Sequence, residues 1–299
     1  MATANAADIR PQARPRELQD PLNLYFYHPL AARLARLLRP TGISPNMVSV
    51  MSLLALIAAA FAYTGLPWPA NAPTGFAFML AWHVVDGADG DLARMTGRAS
   101  ATGELVDGVC DYAGNIFLYV AFAIMLDDWI GTWAWILAVA AGASHIVQTN
   151  HSETQRRLYL WRAYGVPWLR NAAASGDAVF RKETWFTRYF GFWAVGYVWL
   201  SNRMTPSANP IDAALAKAEG DPRETDRIRL MVRRDSRTGL ILAKAIGANP
   251  KTLLIGASML AGSPLYYFLA MIFGVNLVLL ASILHHRKVA GRLAAALAR

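Results

Sequence analysis

The chain has one cysteine, Cys110, in 299 residues. An intrachain disulfide is excluded, and the sequence carries no sign of an oxidising compartment. Charged residues are also scarce, 16% against 55% hydrophobic, too few for an ordinary water-soluble domain of this length. Residues 1–23 lack the apolar core of a signal peptide. Their Arg, Pro and Ala content predicts a disordered tail. The apolar residues that dominate the rest are gathered into runs near the ~20 residues that cross a hydrocarbon layer. The formal net charge of +9 therefore reads as loops facing anionic lipid, and no nucleic-acid partner is expected.

An all-α membrane protein with six transmembrane helices follows from the order of these runs. Residues 24–42 hold Arg33, Arg36 and Arg39 at a spacing of three among Leu and Ala, which puts the charges on one face of an amphipathic helix lying in the headgroup layer. Residues 43–164 carry four spans: Ile43–Tyr63, a second from Thr74 into Arg94, a third from Gly103 to Leu126, and Trp129–Ile146. Ser44 and Pro45 suit the cap and first turn of the first span. Residues 165–238 read as an insertion, with the aromatic Trp185–Leu200 lying in the surface and Pro206–Arg237 forming a cytosolic helical excursion. Residues 239–299 carry two more spans, about 239–261 and 264–284, and a tail. Lys244, Asn249, Pro250 and Lys251 interrupt the first of these, and a start near Lys251 would move the turn towards Gly274. Arg33, Arg36, Arg39, Arg94, Arg98, Arg156 and Arg157 fall on one side. The positive-inside rule places both termini there, on the cytoplasmic side of a plasma (bacterial-type inner) membrane.

The same side receives an unusual acidic stretch, Val85–Asn115. Asp86 and Asp89 are three apart, Asp107 and Asp111 four apart, so each pair shares a helix face. The short connection makes the two helices antiparallel neighbours whose acidic ends converge. Each carboxylate near a bilayer core costs roughly 2.5–3.5 kcal/mol on insertion scales. Divalent cations are the most direct compensation. An all-oxygen anionic set suits Mg²⁺, Mn²⁺ or Ca²⁺ rather than Zn²⁺. Gly87, Gly90, Gly97, Gly103 and Gly108 crowd the stretch. They have two readings: close helix packing, or bare backbone that lets a ligand approach. Arg94 lies within a turn and is able to neutralise a phosphate. Asp91 reads as solvent-facing or capping, and His83 as a packed helix residue. His145, Asn150, His151, Glu153, Arg156 and Arg157 either shape an acceptor pocket or form an ordinary helix end. Lys244 and Lys251 are candidates for an anionic headgroup or acceptor phosphate, and Asn46 for the nucleotide. A membrane-depth acidic cluster also fits a cation transporter, although the first three spans become purely apolar beyond it.

Asp89-Gly90-Asp91-Leu92-Ala93-Arg94, eight residues, Gly103, three residues, Asp107, three residues and Asp111 resemble the signature of the CDP-alcohol phosphotransferase (phosphatidyltransferase) family. Asp86 matches the leading aspartate of its longer form, and no fixed position departs. The resemblance implies an enzyme that transfers a phospho-alcohol from a CDP-linked donor to an acceptor hydroxyl and releases CMP. It implies two Mg²⁺ or Mn²⁺ ions held by Asp86, Asp89, Asp107 and Asp111, with Asp111 also the general base. It implies contact of Gly90, Ala93, Arg94 and Gly103 with the CDP moiety, and a homodimer. Two versions remain open: CDP-diacylglycerol donating to a small polar alcohol, or a CDP-linked head group moved onto a lipid alcohol such as diacylglycerol.

Overall fold

The computed structural model describes residues 15–166, 185–205 and 210–297. Parts of the expected tail (1–14) and insertion (167–184, 206–209) lie outside them, as do residues 298–299. Among the described residues every regular element is helical. A π turn, Asn23–Tyr27, leads into α1 (His28–Leu38), which ends in a 3₁₀ turn at Arg39–Thr41 and a left-handed Gly42. Gly42 has φ 76° with open space around it, a conformation glycine reaches without a Cβ penalty. Then come α2 (Pro45–Gly65), α3 (Asn71–Met95), α4 (Ala101–Ile130) and α5 (Thr132–Tyr164). As the sequence predicts, Ser44 caps α2, its side chain accepting from the Met47 N–H, and Pro45 opens the first turn.

Beyond these lie α6 (Trp185–Met204), α7 (Pro210–Lys217), α8 (Pro222–Asp235), α9 (Arg237–Ala245) and α10 (Ala248–Leu260). A last long helix starts as α11 (Leu265–Leu269), passes through a π turn at Ala270–Val275 and continues as α12 (Asn276–Leu297). The expected span 239–261 is corrected here. It divides at Ile246–Gly247 into α9 and α10, and only α10 enters the main bundle core. The turn falls at Gly262–Pro264, where Gly262 takes φ 92°, and not at Gly274, which sits inside the π turn. Residues 15–23 contact the body through Glu17, whose Oε1 accepts from the hydroxyls of Tyr159 and Tyr164, and through Lys244 Nζ, which donates to the carbonyls of Glu17 and Gln19. Lys244 is therefore engaged inside the protein rather than at a headgroup.

Two cores organise the chain. The larger joins α2, α3, α4, α5, α10 and the last helix around Leu56, Tyr63, Met79, Phe122, Met259 and Phe268. The smaller fixes α7, α8 and α9 against the ends of α5 and α12 through Ile211, Ile228, Val232, Leu240 and Leu293. Arg162 of α5 makes a bidentate pair with Asp212 of α7, both bonds 2.8 Å.

Among the described residues, three helices are long and apolar enough to cross a membrane: Pro45–Gly65, Ala101–Ile130 and the continuous Leu265–Leu297. Less than half of each apolar window is buried within the protein. Phe61, Ile124, Leu277 and Leu284 stay exposed on them. Such area on long apolar helices suits contact with lipid. α3 and α5 have the length but carry polar residues, and α10, with 13 residues, is about 20 Å long. By length and composition, then, three of the six expected spans stand.

Candidate metal centre

The acidic residues sit where α3 ends and α4 begins. Thr96 ends α3 and Gly97 turns the chain with φ 67°. Ser100 then caps α4, accepting from the Gly103 N–H at 3.1 Å. This compact turn brings the C-terminal acids of α3 opposite the N-terminal acids of α4. One carboxylate oxygen from each of Asp86, Asp89 and Asp107 lies within 4.8 Å of the other two.

The expected convergence of two neighbouring helices rests on a third helix that the sequence did not reveal. α3 and α4 are not packed backbone to backbone. Each packs instead along α2, which lies against both. The α2 surface allows this with small residues, Ser49, Ser52, Ala59 and Ala60, all buried. The acids therefore meet by side-chain reach across a gap. Three carboxylates crowded together repel one another, and a direct helix contact would leave no room for the cation that relieves this. α1 supports α3 from another side, with Ala31 and Ala35 packed on Ala88 and Leu92. A Cβ on Gly87 would come 3.1 Å from Ala31, so that glycine is a packing position.

Asp89 is buried at 7% exposure. Its Oδ2 accepts a hydrogen bond from Ser49 Oγ at 2.5 Å. Ser49 was not singled out from the sequence. The only signal for it was its position one turn after Asn46 on a span whose other residues are mostly apolar. Asp107 keeps a buried Oδ1 with no hydrogen-bond partner. Such an atom in a native site calls for an ion or water. With three hard oxygen donors converging on it, the residues fit a Mg²⁺- or Mn²⁺-type ion.

Asp111 stands one turn beyond Asp107 on α4 and outside the trio. Its Oδ1 accepts from Trp82 Nε1 at 3.2 Å, so an indole of α3 orients it. Asp91 is not solvent-facing: it pairs with Arg94 one turn on, with 15% of its side chain exposed. Arg94 remains 39% exposed at the mouth. A Cβ on Gly90 would meet only the Arg94 guanidinium, at 3.3 Å, and one on Gly108 would meet nothing within 4 Å. Asn46 comes beside Gly103, its Oδ1 3.8 Å from where a Gly103 Cβ would stand. Ala93 is partly buried on the same helix end.

The other polar candidates are mostly structural. His83 is buried, with Nε2 2.8 Å from Thr252 Oγ1 and its ring against Tyr27 and Trp82. His145 Nδ1 bonds the Tyr119 hydroxyl, and Asn150 donates to the Tyr197 carbonyl of α6. His151 bonds Ser282. Glu153 accepts from both Arg156 and Arg157, and Arg157 also reaches Glu104 on α4 at 3.2 Å. Lys251 is buried and donates to Thr149 Oγ1 at 2.7 Å.

Fold and site together define a helical, membrane-associated protein with a cluster of three carboxylates between two helix ends whose donor set would suit a hard cation. Residues 42–174, a stretch that contains the whole acidic site, match the model of the CDP-alcohol phosphatidyltransferase family. Members of that family transfer a phospho-alcohol from a CDP-alcohol, and the match suggests that chemistry for this stretch. No curated protein matches the sequence significantly.

Proposed function

We propose that the protein is an integral-membrane CDP-alcohol phosphotransferase of phospholipid synthesis, releasing CMP. The donor favoured is CDP-diacylglycerol and the acceptor a small polar alcohol. The observation that supports this most is the trio Asp86, Asp89 and Asp107 within 4.8 Å, drawn from two helices, beside backbone left open at Gly90 and Gly108.

In this reading Asp86, Asp89, Asp107 and Asp111 hold two Mg²⁺ or Mn²⁺ ions. When bound, such ions neutralise the diphosphate charge that grows as CMP leaves. Gly90, Ala93 and Gly103 let the nucleotide lie close to the helix backbone, Asn46 contributes an amide beside Gly103, and Arg94 exchanges Asp91 for a donor phosphate. Asp111 takes the proton of the acceptor hydroxyl while its oxygen bonds to the phosphorus bearing the lipid, and the P–O bond to CMP breaks. Trp82 holds the Asp111 carboxylate in place for that transfer. The ammonium of Lys251 and the end of α5 belong to the acceptor side. Six spans, an α1 helix lying in the headgroup layer, a cytoplasmic site with both termini on that side, and a homodimer complete the proposal.

The test is release of CMP by the purified protein with CDP-diacylglycerol, Mg²⁺ or Mn²⁺, and a panel of acceptors: inositol phosphate, glycerol 3-phosphate, serine, inositol, choline and lipid alcohols. CMP formed with a small polar alcohol is the expected result. CMP formed only from a CDP-linked head group and diacylglycerol would reverse the donor assignment. No CMP from any CDP-alcohol, together with cation flux in liposomes, would replace the enzyme with a transporter.

A further inference from the structure

A recess separate from the acidic centre opens where the smaller core meets the long helices. Gln155 and Arg162 of α5, Ser236 at the end of α8, Gly239 of α9 and His285 of α12 line it. It adjoins a second recess that shares His285 and Asp235 and is edged by Arg234, Thr238 and Arg292. No residue of α1 to α4 lines either one.

Its hydrogen bonding is incomplete in one particular sense. Gln155, only 8% exposed, has an Nε2 with no partner, and the buried Nε2 of His285 has none. Buried polar atoms are almost always satisfied, and the residues that carry these two line the same recess. Both serve as N–H donors, His285 as its Nε2–H tautomer or as the imidazolium. The charges of the wall are otherwise accounted for: Arg162 is held by Asp212 and Asp235 by Arg234 at 2.9 Å. Arg292, exposed at the rim, adds a cation for which no acidic partner is seen among the described residues. Donors inside and a guanidinium at the mouth select an anion with several acceptor oxygens.

We propose that this recess is a second ligand site, for a phosphate dianion that is free or carried on a small soluble ester, and that it is independent of the metal centre. The measurement is calorimetric titration of the detergent-solubilised full chain in excess chelator, with inorganic phosphate and glycerol 3-phosphate as probes. Saturable one-to-one binding is expected, weakened at least tenfold by Gln155→Leu, His285→Phe and Arg292→Ala. It should persist in His285→Gln, which keeps an N–H donor, and in Asp107→Asn. Binding of either probe carries the proposal, the tighter of the two identifying the source of the phosphate. If a buried-site variant does not fold, the exposed Arg292→Ala decides alone. Absence of saturable binding, equal binding by Arg292→Ala and wild type, or loss of binding in Asp107→Asn would overturn it.

Discussion

The two ends of the α2–α3–α4 group use the same residue for opposite purposes. At the apolar end Gly75 faces the Tyr63 ring and Gly114 faces Leu56, where an added Cβ would come within 2.5 Å of the Leu56 side chain. These glycines bring helices together. At the acidic end an added Cβ on Gly90 meets only the movable tip of Arg94, and on Gly108 nothing. These glycines keep space empty. Room is therefore left beside the carboxylates at Gly90 and Gly108, though not at Gly87, as the proposed binding of ions and a nucleotide would need.

The largest effect should come from removing charge at the acidic end. Asp107→Asn is expected to lower turnover by about three orders of magnitude or more, with the thermal midpoint little changed. Near-normal CMP release by that variant would break the contrast between the ends. Chelation should likewise abolish CMP release, with Mg²⁺ or Mn²⁺ restoring it, and an enzyme indifferent to chelator has no metal centre. Next come the glycines. Gly114→Ala should cost about 1–3 kcal/mol of stability through overpacking, read as a lower melting temperature in detergent. Gly90→Ala should leave melting unchanged or slightly raised, since Ala favours helix by about 1 kcal/mol, while the KM for the CDP donor rises on the order of tenfold, ~1.4 kcal/mol. If the two alanines behave alike, the division of labour is wrong. Ser49→Ala removes one hydrogen bond to Asp89, worth about 1.5–3 kcal/mol to a charged group, and should raise the metal concentration needed for half-maximal activity severalfold. The smallest change is expected for Asp91→Asn, within about threefold of wild type, because its pair with the half-exposed Arg94 gives way when phosphate binds. A loss comparable to that of Asp107→Asn would move Asp91 into the centre.

Much of this was legible in residue order. Helical periodicity and the Ser44-Pro45 cap placed α2, and the spacing of the aspartates placed each pair on a face. Ser49 was not legible, because one serine on an apolar span has several ordinary uses and only the approach of α3 shows which applies. The convergence of α3 and α4 was legible, but the part played by α2 between them was not: a short connection limits how far helix ends can part, but not which third helix fills the angle between them. The break at Ile246–Gly247 escaped because the flanking apolar runs are continuous in composition, and only packing of α9 on the smaller core and of α10 on the larger one divides them.

The order of residues by itself determined the helical class, the acidic stretch and the kind of ion it suits, since periodicity, spacing and ligand chemistry are local properties. Only the tertiary structure decided that three of the four aspartates gather closely while Asp111 stands one turn on, with one oxygen bonded to Trp82. It also decided which glycines pack and which stand open, because distance across a gap depends on every helix that props the gap apart.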